Sequence, residues 1–290
     1  MPGKSNEQPH PAPVANAPAS EVIDEIRSLH DRINELHHLV DQRLSVESAR
    51  PGEWLHEAAS IAARRGPLPA WRRATQGELR WPVAVTTAVA IALQVAVPDK
   101  LVLVSPSWVL PAAQGALLIV LVTANPRRID RQSMAMRMLS LFLGALLTLA
   151  NGWSVARLAV GITRGSMGHD PGQLLVTGAV IWLTNVVVFG LWYWEFDRGG
   201  PVARALNIGN RYPDFQFPQM VSPPEMIPPE WEPAFVDYLY LAFTNAAAFS
   251  PTDVMPMSRW AKVAMTVQSL ISIVTVALVV SRAVNILPGG

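Results

Sequence analysis

The run FVDYLYLAFTNAAAF occupies residues 235–249, SPTDVMPMS residues 250–258, and WAKVAMTVQSLISIVTVALVVSRAVNI residues 260–286. The first is apolar but short for a bilayer crossing, whereas the last exceeds the roughly 20 residues that a spanning helix needs. The segment between them is polar. A short helix that enters, a loop, and a long helix that leaves is the plan of a re-entrant pore loop. Non-helical backbone at membrane depth persists only where protein or a water-filled cavity satisfies its polar groups, so such a loop lines something. The block that begins at Trp231 therefore organises the chain, and what precedes it reads as scaffold.

Composition agrees with that plan. Of 290 residues 50% are hydrophobic, 16% are charged and none is cysteine, and the mean hydropathy of +0.25 is high for a chain with so polar an N-terminus. The fold class expected is all-α: a polytopic α-helical membrane protein with an N-terminal soluble helix. A formal net charge of +1 hides basic residues clustered beside apolar runs, a pattern of membrane topology rather than of nucleic-acid binding. Without cysteine there are no disulfides, thiolate nucleophiles or cysteine metal sites. The first 20 residues, rich in proline and alanine, lack the apolar core of a signal peptide and read as a disordered tail.

Residues 21–50 read as a cytoplasmic helix with a heptad seam of Val22, Ile26, Leu29, Ile33, Leu36 and Val40, expected to form a coiled coil with a copy of itself or with a cytoplasmic partner. Branched residues at one seam position and leucines at the other favour two parallel strands. Five of the six histidines lie in this polar N-terminal part at spacings that fit no metal motif. In residues 51–80, Trp54, Leu55, Ala58, Ile61 and Ala62 make an apolar face followed by Arg64, Arg65, Arg72, Arg73 and Arg80. Such a segment lies along the membrane surface, with Trp71 and Trp81 at the interface.

Four spans are expected within residues 81–195, at 81–97, 108–124, 138–162 and 174–194. The segment 125–137 carries Arg127, Arg128, Arg131 and Arg137, which places it in the cytoplasm with the N-terminus. The fourth span then ends in the cytoplasm, and Arg198, Arg204 and Arg211 agree. Residues 196–233 form a connector rich in proline, extended and lying against the membrane surface or another subunit. Three arrangements of residues 234–290 remain open: residues 235–249 cross as a short fifth of six spans, the loop re-enters from the cytoplasmic face, or one upstream segment does not span.

The residues that carry a resemblance are Thr244, Asn245, Ala246, Ala247 and Ala248, then Asp253 with Pro256 three positions on, then Ala261 and Lys262. This C-terminal unit resembles the pore module of the potassium-channel superfamily. A longer part, from Val180 to the end, resembles a family of uncharacterised bacterial integral membrane proteins through Trp194-Glu195-Phe196-Asp197-Arg198-Gly199-Gly200-Pro201 and Phe249-Ser250-Pro251-Thr252-Asp253. The resemblances imply a multi-pass protein of a bacterial inner membrane that forms homo-oligomers, tetramers if the channel plan holds. The departure matters too: Ser250, Pro251 and Thr252 stand where a potassium filter has Gly-Tyr-Gly, and without glycine the chain cannot easily turn successive carbonyls onto one axis. Conduction is therefore expected to be non-selective or poor. Thr244, Asn245, Ser250, Thr252 and Asp253 are the candidate pore-lining residues.

Glu195, Asp197 and Asp237 are candidate charges at a pore mouth; for the first two the alternative is a helix end at the interface, with Arg198 pairing a carboxylate and the glycines stopping the helix. Asn151, Arg157, Asn185, Asn245 and Gln268 are polar positions inside apolar spans, expected chiefly as interhelical partners. No nucleotide loop, metal motif or nucleophile elbow is present, so neither enzyme activity nor a cofactor is expected. A scaffold or anchor that recruits a partner through the coiled coil is the alternative function. A carrier would show matching halves with broken helices, and no internal repeat is visible.

Overall fold

The computed structural model describes residues 19–48, 68–124, 134–166, 170–210, 212–247 and 253–286. By its contacts the chain divides into two units, Met1–Pro67 and Leu68–Gly290. In the first, helix α1 (Ala19–Ser48) runs for 30 residues. Along it Leu29, Ile33, Leu36 and Val40 are 50–62% exposed, as a single amphipathic helix must leave them.

The second unit contains α2 (Arg80–Val95), α3 (Val109–Ala124), α4 (Met134–Thr163), α5 (Pro171–Phe196), α6 (Pro201–Ala205), α7 (Phe235–Ala247) and α8 (Arg259–Ile286). Two strands of two residues, β1 (Phe215–Gln216) and β2 (Met255–Pro256), pair antiparallel. Among the described residues three helices are long and apolar enough to cross a membrane: α4, α8, and α5 carried on to Gly199. α2 and α3 are apolar but only 16 residues each.

α5 is the central mast. Its most apolar window is 67% buried, against 28% for those of α4 and α8, because its surface is apolar all round and other helices cover it. It starts cleanly: Pro171 sits in the first turn, where its missing N–H costs nothing, and the Asp170 carboxylate accepts from Gly172 N at 2.8 Å and Gln173 N at 3.3 Å. Two glycines let neighbours close in on it. A Cβ on Gly178 would come within 2.8 Å of the Val279 side chain of α8, and one on Gly190 within 3.2 Å of Leu239 Cα of α7. Small residues at helix crossings are how tightly packed membrane bundles approach.

These crossings fix direction. Along α5 from its C-terminal end, Trp194, Gly190 and Trp182 meet Phe235, Leu239 and Phe243 of α7, and Tyr193, Asn185 and Gly178 meet Gln268, Ser272 and Val279 of α8. Both helices thus run antiparallel to α5 and parallel to each other. α7 and α8 start on the same side of the bundle, the side of the 196–233 connector. α7 has 13 residues, about 20 Å of helix at 1.5 Å per residue, short of a hydrocarbon core of about 30 Å.

The connector differs from the expected extended segment against a membrane or a neighbour. It folds into the unit: Phe215 and Phe217 are buried, with Phe215 within 6.3 Å, ring to ring, of Tyr193, Tyr238 and Trp260, and Phe217 edge-on to Tyr238 and Trp231. Aromatic edges and faces supply the packing that so proline-rich a backbone cannot draw from hydrogen bonds. Tyr212 and Met226 stay exposed. Trp71 also differs from its expected place at the interface: it is buried, with the Arg72 guanidinium 4.5 Å and the Arg198 guanidinium 5.8 Å from its ring centre, whereas Trp81 is exposed as an interfacial residue would be. Residues 51–67 of the expected surface helix lie outside the described residues.

Candidate functional site

The sequence Trp194-Glu195-Phe196-Asp197-Arg198-Gly199-Gly200-Pro201 ends α5 and turns the chain back on itself. Three successive residues take positive φ, Arg198 at 53°, Gly199 at 88° and Gly200 at 101°. A Cβ on Gly200 would stand 2.9 Å from Glu195 O, and one on Gly209 would overlap Arg198 O, so both positions demand glycine. Arg198 is held in the left-handed region, costly for a residue that carries a Cβ, by a set of bonds: its N–H donates to Asp214 Oδ2 at 2.9 Å and its guanidinium to Trp71 O at 2.6 Å and to Asn207 Oδ1 and Asn210 O at 3.3 Å.

Beside this turn lies a buried ionic cluster. Arg204 pairs with Glu78 at 2.8 Å, the two side chains being 5% and 8% exposed, and donates to Trp194 O and Asp197 O. Glu78 Oε2 also accepts from Trp194 Nε1 and from Phe235 N, which seats the first residue of α7. Asp197 accepts from the Tyr238 hydroxyl and from Asp214 N, and Asp214 accepts from Trp260 Nε1. Burial works against the charge on Arg204, but Tyr238, Glu78 and Asp197 outweigh it and raise the guanidinium pKa. The cluster clamps the 68–80 segment, the end of α5, the connector and the starts of α7 and α8 into one plate.

Deeper in, a polar strip crosses the apolar contact of α5, α7 and α8. Gln268 Oε1 accepts from Tyr193 OH at 2.6 Å and from Asn245 Nδ2 at 2.7 Å, while Gln268 Nε2 donates to Ala242 O at 2.8 Å. Asn245 Nδ2 also reaches Met265 O, its Oδ1 accepts from Ser269 Oγ, and Asn185 Nδ2 donates to Ser272 Oγ. These bonds set the depth at which α7 ends against α8.

The predicted pore residues separate accordingly. Asn245 is spent on α8, and the Thr244 hydroxyl donates to Tyr240 O and Leu241 O of its own helix. Asp253 is exposed, two residues before β2, and Met257 N donates to Asp214 O, so the chain is back at the connector by then. Ser250 and Thr252 lie outside the described residues. Of the predicted mouth charges, Asp197 sits fully buried in the ionic cluster, while Asp237 accepts from Ala234 N at 2.8 Å, the reach of a third-residue acid back to its own helix start. Glu195 points the other way, into a cleft between α2, α3, α4 and α5, where Ser140 Oγ donates to it at 3.3 Å. Arg157, by contrast, bonds Lys100 O at the far end of the bundle.

Glu78, Asp214 and Tyr238 were not singled out in the sequence, and Arg204 was read only as a mark of the cytoplasmic side. Glu78 was legible in principle as the lone acid among Arg72, Arg73 and Arg80; its partner, 126 positions on, was not. Among the described residues no cluster of three or more His, Cys, Asp or Glu is placed to hold a metal ion.

Neither a family model, nor a curated protein, nor a solved structure matches this chain.

Proposed function

We propose that the chain is a multi-pass protein of a bacterial inner membrane whose C-terminal unit is a re-entrant pore module, several copies of which enclose a cation path. The observation that carries the reading is the common start of α7 and α8 at the connector. A helix that runs part-way in, a return, and a long helix from the same side is how a pore module brings non-helical backbone to an axis. In this reading α2, α3, α4, α5 and α8 cross, and α7 does not.

The connector side is cytoplasmic. α4 begins there, beside Glu195, with Arg137 in its first turn, and the segment before it supplies Arg127, Arg128 and Arg131. Arg198 and Arg204 carry less weight for orientation because they are bonded internally. The unit is therefore inverted relative to a potassium channel, and the exposed Asp253 provides the negative charge at its mouth. A single chain encloses no axis, so the reading requires a homo-oligomer, a tetramer by the channel likeness.

Because the chain has no cysteine, Ser250→Cys and Thr252→Cys can be labelled with a membrane-impermeant maleimide in vesicles of either orientation. Labelling from the cytoplasmic face alone, together with cation flux in proteoliposomes that falls on labelling, is expected. Labelling from the other face alone, or proteoliposomes with no flux, overturns the reading.

The exposed seam of α1 supports a second reading, a non-conducting anchor whose N-terminal helix gathers copies or a cytoplasmic partner. Loss of assembly on deletion of residues 21–44, in a protein without flux, favours that alternative.

A further inference from the structure

The cleft that receives Glu195 has the anatomy of a lipid site rather than of a pore mouth. It holds about 70 Å³ of enclosed space, about 770 Å³ with its open mouth included, which is narrow for a bulky solute. Its outer end is charged: Arg80, 9% exposed, has an Nε with no hydrogen-bond partner, and Glu195, 7% exposed, accepts from Ser140 at a long 3.3 Å. Among the described residues the close ion pair is Arg204–Glu78, and Glu195 lies in the field of Arg137, Arg204 and Arg80 without forming an ion pair with any of them. Its inner end is apolar, lined by Leu121, Leu147 and Trp192. From Ser140 to Leu147 on α4 is about 10 Å of helix, the depth over which a headgroup gives way to acyl chain.

A buried guanidinium with an orphaned Nε and a buried carboxylate held by one long hydroxyl contact, with no ion pair between them, are each costly unless a ligand supplies the missing partner. We infer that this cleft binds an aminophospholipid, its phosphodiester at Arg80 and Arg137, its primary ammonium donating to Glu195, and an acyl chain between α2, α3, α4 and α5. A quaternary ammonium has no N–H to give Glu195, and a glycerol headgroup has no positive charge, so both fit worse. The inference rests on the bundle lying in a membrane and not on conduction.

The test is native mass spectrometry of the full chain released from detergent, titrated with phosphatidylethanolamine, phosphatidylcholine and phosphatidylglycerol of identical acyl chains, and with glycerophosphoethanolamine. Expected is a preference for phosphatidylethanolamine over the other two lipids of at least about tenfold, weak binding of the chainless headgroup, and a preference lost in Glu195→Gln with thermal unfolding unchanged. Equal binding of the three lipids, chainless headgroup binding as tight as the lipid, or an undiminished preference in Glu195→Gln overturns it. Where Glu195→Gln fails to fold, the wild-type comparison among the lipids decides alone. Absence of cation flux leaves these outcomes untouched, so this inference and the pore reading fail separately.

Discussion

Glu78 and Arg204 meet at 2.8 Å although 126 residues separate them, and Glu78 at the same time holds the backbone N–H of Phe235. The pair ties the segment before the first apolar helix to the start of α7. Removing one member strands the other in a buried place. Glu78→Ala is expected to cost about 3–5 kcal/mol, read as a lowered midpoint of unfolding in detergent. Glu78→Gln with Arg204→Met costs less than Glu78→Ala, because the stranded charge goes too; a double variant as unstable as the single would show that the cluster is not held by this pair.

Gln268 serves three partners inside the bundle, Tyr193, Asn245 and Ala242. Gln268→Leu leaves the Tyr193 hydroxyl without its acceptor and takes one partner each from the Asn245 amide and the Ala242 carbonyl, and about 1–3 kcal/mol of stability is expected to go. Tyr193→Phe removes one donor and leaves Gln268 with Asn245, so about 1 kcal/mol is expected. If Asn245 sets where α7 ends, Asn245→Leu changes maleimide access at Ser250→Cys even where unfolding barely shifts.

Two glycines should respond oppositely to alanine. At Gly209 the new Cβ overlaps the Arg198 carbonyl, so the turn must open, with roughly 1–3 kcal/mol lost. At Gly152, exposed in α4, nothing lies within 4 Å of the new Cβ; there alanine is expected to stabilise by about 0.5–1 kcal/mol through helix propensity. Thermal unfolding of the two variants side by side checks both signs.

Asp253 is exposed, so its replacement should leave stability alone and alter only what its charge does. Asp253→Asn is expected to lower cation flux in proteoliposomes by about tenfold, the low end of electrostatic focusing at a charged mouth, with more effect at low salt than at high salt. Flux unchanged at low salt would remove Asp253 from the path.

Much of the fold was legible in residue order. The apolar runs became α2, α3, α4, α5, α7 and α8 near the expected places, because a hydrophobic run of that length has few alternatives to a helix. The heptad stripe likewise became α1, and the turn at Gly199 and Gly200 follows from glycine and proline next to a helix end. For the candidate site, Asp253 and Asn245 were named for their polarity in an apolar context, yet polarity alone did not tell a strut from a lining residue. Asn245 turned inward to α8 and Asp253 outward.

The sequence by itself determined a mostly helical chain with helices long and apolar enough to cross a membrane, basic residues beside its apolar runs and a short C-terminal helix, since these depend on local composition and on spacing along the chain. Only the tertiary structure decided which side α7 and α8 start from, that Arg198 and Arg204 are bonded internally, and that Glu195 looks into a cleft while Asp197, two residues on, is enclosed. Those outcomes depend on partners such as Glu78, Asp214 and Gln268, brought in by packing around α5 from 16 to 126 positions away. No periodicity encodes a pairing at such distances; it is fixed by which buried polar groups satisfy one another once the apolar faces have closed.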